Sequence, residues 1–306
     1  MLLTPELINR LAPLEIKARQ IVEGFISGLH KSPYFGFSVE FAEHRPYNPG
    51  DDLKHMDWKV YGKTERHYVK QYEEETNLRC YILLDVSSSM QFRYFADWSK
   101  LRYAVHLGAA MAYMLHRQRD GCGLVPFDRQ LGEILPAKSS YAHLMHLYRN
   151  LDRILEDYDG ESPEIRQTAS ADAIHQLAER INRRSLVVLL TDLFENVQKQ
   201  EELVSALKHL RHKKHEVILF HLLEKKSERE LDFPDERFVF RDMETGGEMD
   251  VIPGQIRRDY QKKMAEYTRD FHITCSEAKI AYEQVDTQDP FEYALLAFLN
   301  KRRRLM

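Results

Sequence analysis

Residues 80–90 read Cys80-Tyr81-Ile82-Leu83-Leu84-Asp85-Val86-Ser87-Ser88-Ser89-Met90. Five apolar residues in succession are the pattern of a strand buried on both faces, as in a parallel sheet covered by helices. The run stops at Asp85, so Asp85, Ser87 and Ser89 fall at the carboxyl end of the strand, where open α/β sheets place their ligands. One carboxylate and two hydroxyls at alternate positions are hard oxygen donors. That set suits magnesium, which takes octahedral oxygen and keeps several waters, with manganese or calcium as alternatives. Serines after a strand also cap helices, so the triplet gains its meaning from donors further along the chain.

Working outward, a helical pattern runs from Ala96 to Arg119 and a second strand from Cys122 to Phe127, with a hairpin partner expected at Leu131 to Leu135. Helices are expected at 140–155 and 170–182, a buried strand at Leu186 to Leu190, a helix from Lys199 to His212 and a strand from Val217 to Leu222. Helix 254–271, a strand at 281–285 and helix 290–302 close the chain. Phe238-Val239-Phe240 and Met249-Asp250-Val251 flank Thr245-Gly246-Gly247, which reads as a β-hairpin inserted within about 227–252. Upstream, residues 5–31 carry apolar side chains at helical spacing, 33–64 are irregular, and His67 to Glu75 is a candidate first strand. Repeated strand-helix alternation predicts a doubly wound, mostly parallel Rossmann-like α/β sheet over 76–306, with strand 80–84 central and a smaller N-terminal lobe over 1–75.

This frame gives the triplet two companions. Thr168 lies just before the helix carrying Ala173-Ile174, and Asp192 ends the strand in Leu189-Leu190-Thr191-Asp192-Leu193. Five oxygen donors at element ends are hard to produce by capping alone. A cation held by so few direct negative charges stays under-neutralised and attracts a carboxylate from outside. That is a binding mechanism rather than a catalytic one, and we expect no enzyme.

Composition narrows the classes. With 43% hydrophobic and 30% charged residues, 306 residues can bury a sizeable core. A net charge of −4 gives no basic face for nucleic acid; Lys301-Arg302-Arg303-Arg304 reads as a solvated helix end. Cys80, Cys122 and Cys275 form no CxxC pair, and the first two sit in apolar stretches as core residues. No apolar run reaches a membrane span, and Met1 to Arg19 lacks a signal-peptide core, so the expectation is a cytoplasmic protein. His209, His212 and His215 lie among Lys208, Arg211, Lys213 and Lys214 and read as a solvated helix end rather than a metal site.

Other chemistries fit poorly. A haloacid dehalogenase-type phosphotransferase needs a second aspartate where Ser87 stands. Gly62-Lys63-Thr64 lacks the rest of a phosphate-binding loop, since Asp57 occupies its first glycine position, and Gly-x-Ser-x-Gly is missing. The remaining alternative is a metal-independent scaffold that binds partners through the hairpin 237–251.

Asp85-x-Ser87-x-Ser89, Thr168 and Asp192 resemble the metal-ion-dependent adhesion site of von Willebrand factor A domains. Arg45-Pro46-Tyr47-Asn48-Pro49-Gly50-Asp51-Asp52 through Asp57-Trp58, then Gln71-Tyr72-Glu73-Glu74-Glu75, Arg241-Asp242-Met243-Glu244-Thr245-Gly246 and Tyr260 make the chain similar to the bacterial family called domain of unknown function 58. The resemblance covers roughly residues 30 to 300. It implies a Rossmann-like domain, magnesium, and partnership with a MoxR-type AAA+ ATPase in maturation or assembly of other proteins. Two departures stand out. Many relatives carry N-terminal transmembrane helices, which are not expected here, and Arg166-Gln167 replace the glycine pair common before the threonine.

Overall fold

The computed structural model describes residues 13–30, 44–46, 61–62, 68–70, 78–159, 169–182, 184–193 and 197–303. The chain divides into two compact units, Met1–Phe25 with Leu78–Met306, and Ile26–Asn77. In the smaller unit, β1 (His44–Pro46) pairs antiparallel with β2 (Tyr68–Lys70). Helix α1 (Leu14–His30) begins in the larger unit, where Leu14, Ala18, Val22 and Phe25 are buried along one stripe.

The larger unit is built on a six-stranded sheet. In chain order its elements are β3 (Arg79–Asp85), α2 (Lys100–Arg117), β4 (Gly121–Phe127), β5 (Leu135–Lys138), α3 (Tyr141–Tyr158), α4 (Ser170–Arg180), β6 (Leu186–Thr191), α5 (Val197–His212) and β7 (Glu216–Leu223). A separate hairpin follows, β8 (Phe238–Arg241) with β9 (Glu248–Val251), then α6 (Pro253–Glu277), β10 (Ala281–Asp286) and α7 (Phe291–Arg303). The sheet order is β10-β7-β6-β3-β4-β5. Every pairing is parallel except β4 with β5. The expected doubly wound α/β sheet with its first strand central is what forms.

Alternation along the buried strands assigns the two faces. Tyr81, Leu83, Val187, Leu189, Val217 and Leu219 join Ile174 and Leu177 of α4, Leu207 and Leu210 of α5 and Phe271 of α6 in one core cluster. On the opposite face, Gly108 of α2 lies close over Ile82 and Leu190. Six buried strand residues in each of β3 and β6 leave no solvated face, which is why their sequences lack a polar alternation.

Several expected boundaries shift. Helix α2 starts at Lys100 rather than Ala96, because Ser99 caps it by accepting from Arg102 N–H at 3.0 Å. The partner of β4 is β5 at Leu135–Lys138, not Leu131 to Leu135; Leu131 makes a single bridge to Phe127. Pro136 discourages a strand there on propensity, yet an edge strand tolerates it. The hairpin forms where expected, and α6 extends beyond 271 to Glu277. Cys80, Cys122 and Cys275 are all buried.

Candidate functional site

Strands β3 and β6 run side by side and parallel, so their carboxyl ends open on the same edge. Asp85 ends β3 with its side chain fully buried. Its Oδ1 accepts from Ser87 N–H at 2.9 Å, and its Oδ2 accepts from the Thr191 hydroxyl at 2.6 Å. The Thr191 oxygen in turn accepts from Leu193 N–H at 3.2 Å. After Asp85 the chain turns tightly: Met90 N–H donates to Ser87 O and Phe92 N–H to Ser89 O, over a short 3-10 turn at Ser88–Gln91. That turn stacks the two hydroxyls, and Ser87 Oγ and Ser89 Oγ lie 3.0 Å apart, both buried. The predicted donors Asp85, Ser87 and Ser89 therefore meet in one place.

Asp192 follows β6 directly and is buried at the same edge. Its Oδ2 accepts from Lys100 Nζ at 2.7 Å, and the same ammonium donates to Glu228 Oε1 at 2.6 Å. Lys100 is the first residue of α2, where the helix dipole disfavours a cation. Two carboxylates and the Phe92 ring, 5.5 Å from Nζ, account for its place. Burial by itself pushes the ammonium pKa down, but Asp192 and Glu228 outweigh it and hold the value above the ordinary one. Burial raises the Glu228 carboxyl despite Lys100. For Asp85, burial first and the charge of Asp192 second push the carboxyl up to about 8.

A fourth carboxyl comes from the hairpin. Glu244 sits in the turn between β8 and β9, and its Oε1 accepts from the Ser89 hydroxyl at 3.1 Å, across 155 residues of sequence. Asp242 fixes the turn by accepting from Glu244 N–H at 2.8 Å and from Thr245 N–H at 3.3 Å, while Gly246 supplies the positive φ of 72° that completes it. A largely apolar cavity of about 660 Å³ is lined by Ser89, Phe92 and Lys100 together with the hairpin residues Phe240, Met243 and Met249.

Thr168 lies outside the described residues, as do Asp57, Trp58 and the segment Gln71 to Glu75. The residue after it, Ala169, donates its N–H to Asp128 O at 3.0 Å, just past the end of β4. Lys100, Glu228 and Glu244 were absent from the sequence-based donor set. A lysine opposing the dipole at a helix start is the signal that could have revealed the first. The expectation for His215 is corrected: it is fully buried and accepts from Ser185 N–H at 3.3 Å. His209 instead pairs with His175, Nδ1 to Nδ1 at 2.9 Å.

The donor chemistry fits a divalent cation. Among the described residues, Asp85, Asp192, Glu228 and Glu244 bring four carboxyl groups to this edge and Lys100 brings an ammonium. When all are ionised, four negative charges against one positive leave a deficit of positive charge. Among the described residues no three His, Cys, Asp or Glu side chains form a ligand group of their own, so a cation here depends on the serine hydroxyls. With Lys100 on its Oδ2, Asp192 is better suited to a contact through water than to a direct bond.

Comparison with known proteins gives a family and a set of distant likenesses. Residues 43–270 match the family described as "Protein of unknown function DUF58". The uncharacterized protein Rv1480 of Mycobacterium tuberculosis is 24% identical over 303 residues, which cover 98% of this chain and 91% of that one. An aerotolerance-related membrane protein from Bacteroides fragilis shares 18% identity at a TM-score of 0.48, over 74% of this chain and 99% of that chain. A von Willebrand factor type A structure from Catenulispora acidiphila shares 13% identity at a TM-score of 0.35, over 65% of this chain and 43% of that chain. Among the described residues no helix is long and apolar enough to cross a membrane.

Proposed function

This chain belongs to the DUF58 family, and from that premise we propose that it is a non-enzymatic, magnesium-dependent protein-binding module of the von Willebrand factor A type. The observation that carries the reading is the environment of Asp85. Its carboxylate is fully buried, its hydrogen bonds come from the neutral donors Ser87 N–H and Thr191 OH, and two stacked hydroxyls stand beside it. A buried carboxylate without a cation is costly, and the Lys100 ammonium beside Asp192 is committed to Asp192 and Glu228.

Asp85, Ser87 and Ser89 would hold the ion, with Thr168 as a further donor and Asp192 reaching it through water. Magnesium, when bound, supplies a positively charged seat for a carboxylate from another protein. Thr191 keeps the Asp85 carboxylate aimed, and Lys100 keeps Asp192 aimed, so the seat is preorganised. Ser87 occupies the position where a haloacid dehalogenase-type phosphotransferase would need its second aspartate, so that enzyme's acid-base residue is missing. In this reading the acidic partner is a MoxR-type AAA+ ATPase or its client, and the pair works in maturation or assembly of other proteins.

Asp85→Ala and Asp192→Ala test the proposal against the metal-independent scaffold. The wild type should gain thermal stability with magnesium and capture the ATPase only in its presence, and both substitutions should abolish the two effects. A wild type that responds to magnesium in neither assay refutes the docking reading in favour of the scaffold.

A further inference from the structure

We propose that Glu244 is a resident competitor for this site: the hairpin β8–β9 places its own carboxylate where an outside acidic residue would dock, and partner binding requires the hairpin to lift. The inference rests on the docking reading above and adds its regulation. Glu244 is only 7% exposed although it stands at a hairpin turn, normally the most solvated part of such an element. Its carboxylate is aimed at the hydroxyl of Ser89, one of the proposed ion-holding oxygens, and Ser89 is 3.0 Å from Ser87 Oγ. The Asp242 network makes the turn stiff, so the carboxylate is presented rather than draped.

An independent observation concerns how the hairpin is attached. It is a two-stranded sheet of its own, with no ladder to the six-stranded sheet, and such a ribbon is marginal without packing. Phe238 and Phe240 pack against Phe233 at 5.5 and 5.1 Å between ring centroids. The cavity of about 660 Å³ is lined both by hairpin residues, Phe240 and Met249 among them, and by Ser89 and Lys100 of the sheet edge. The Glu244–Ser89 hydrogen bond ties the hairpin turn to that edge. A segment so held has two accessible positions, which is what a switch needs.

Hydrogen–deuterium exchange of peptides covering 238–251, measured with and without magnesium, tests the inference on the full chain. Glu244→Gln keeps the shape but weakens the acceptor, and without metal it should speed hairpin exchange about tenfold, as loss of a charge-assisted hydrogen bond implies. Ser89→Ala, which breaks the same bond from the other side, should do likewise. Magnesium should slow the hairpin in the wild type and leave it unchanged in Glu244→Gln, while still raising the thermal stability of both. If magnesium stabilises both proteins but their hairpins exchange alike, the inference is overturned and the docking reading stands. If magnesium stabilises neither, the docking reading falls and takes the inference with it.

Discussion

Replacing Asp85 by asparagine should stabilise the cation-free protein at high pH and abolish its response to magnesium. Burial and the Asp192 charge raise the Asp85 carboxyl from 3.8 to about 8, so between those values the folded state binds more protons than the unfolded one. Stability therefore falls as pH rises from about 4 to about 8 and then levels. At about 1.4 kcal/mol per pKa unit, the accumulated loss is on the order of 5 kcal/mol. Asparagine removes the charge, and its carbonyl can keep the Ser87 N–H bond. Its amide meets the Thr191 hydroxyl, which already accepts from Leu193 N–H and must give up donating, a cost of about 1 kcal/mol. Asp85→Asn should thus gain roughly 2–4 kcal/mol over the wild type at pH 8.5 without metal, and lose about 1 kcal/mol at pH 4. Magnesium at about 100 times its Kd should return about 2.7 kcal/mol to the wild type alone. Urea unfolding at the two pH values, with EDTA or magnesium, reads all four states. A variant that is destabilised equally at both pH values, with or without metal, would refute the electrostatic account of Asp85.

Three further substitutions probe the supports of the site. Lys100→Met leaves the buried Asp192 and the half-buried Glu228 without their shared ammonium and should cost about 3–5 kcal/mol, measured by chemical denaturation; Lys100→Met combined with Glu228→Gln should recover part of it. Glu224 gathers the backbone N–H groups of Tyr94, Phe95 and Ala96 on one oxygen, at 2.9, 2.7 and 2.6 Å. Glu224→Gln can retain that oxygen and should be mild, whereas Glu224→Ala orphans three donors and should lower stability by about 3 kcal/mol or more; equal effects would refute the acceptor role. Gly123→Ala would place a Cβ 2.6 Å from Leu135 O and 2.8 Å from the Tyr81 ring. Such overpacking should cost at least about 1–3 kcal/mol, and an unchanged unfolding midpoint would contradict the close approach of β5 to β4.

The parts of the fold that were legible are those whose burial leaves a mark on local sequence. Cys80 to Leu84 and Leu186 to Leu190 are unbroken apolar runs because both faces of β3 and β6 are covered, and the polar residues that end them, Asp85 and Asp192, fall at one edge because the strands are parallel. The other half of the site came from contacts that no local pattern records. Lys100 looks like a solvated residue on an amphipathic helix until Ser99 is seen to cap that helix and put the ammonium inside. Glu228 stands in the charged run Lys225 to Glu230, which reads as surface, yet its turn folds it onto Lys100. Glu244 stood among the residues carrying the family resemblance, but its meeting with Ser89 depends on tertiary closure of the hairpin. β5 was misplaced by four residues because an edge strand needs little apolar sequence and accepts Pro136.

The most direct test of the central claim is crystallographic. Crystals grown with manganese in place of magnesium should show an anomalous difference peak within bonding distance of the Asp85 carboxylate and the Ser87 and Ser89 hydroxyls, and Asp85→Asn crystals grown alike should lack it. Wild-type crystals with no peak at that edge of the sheet, or with Lys100 turned from Asp192 onto Asp85 instead, would contradict the account.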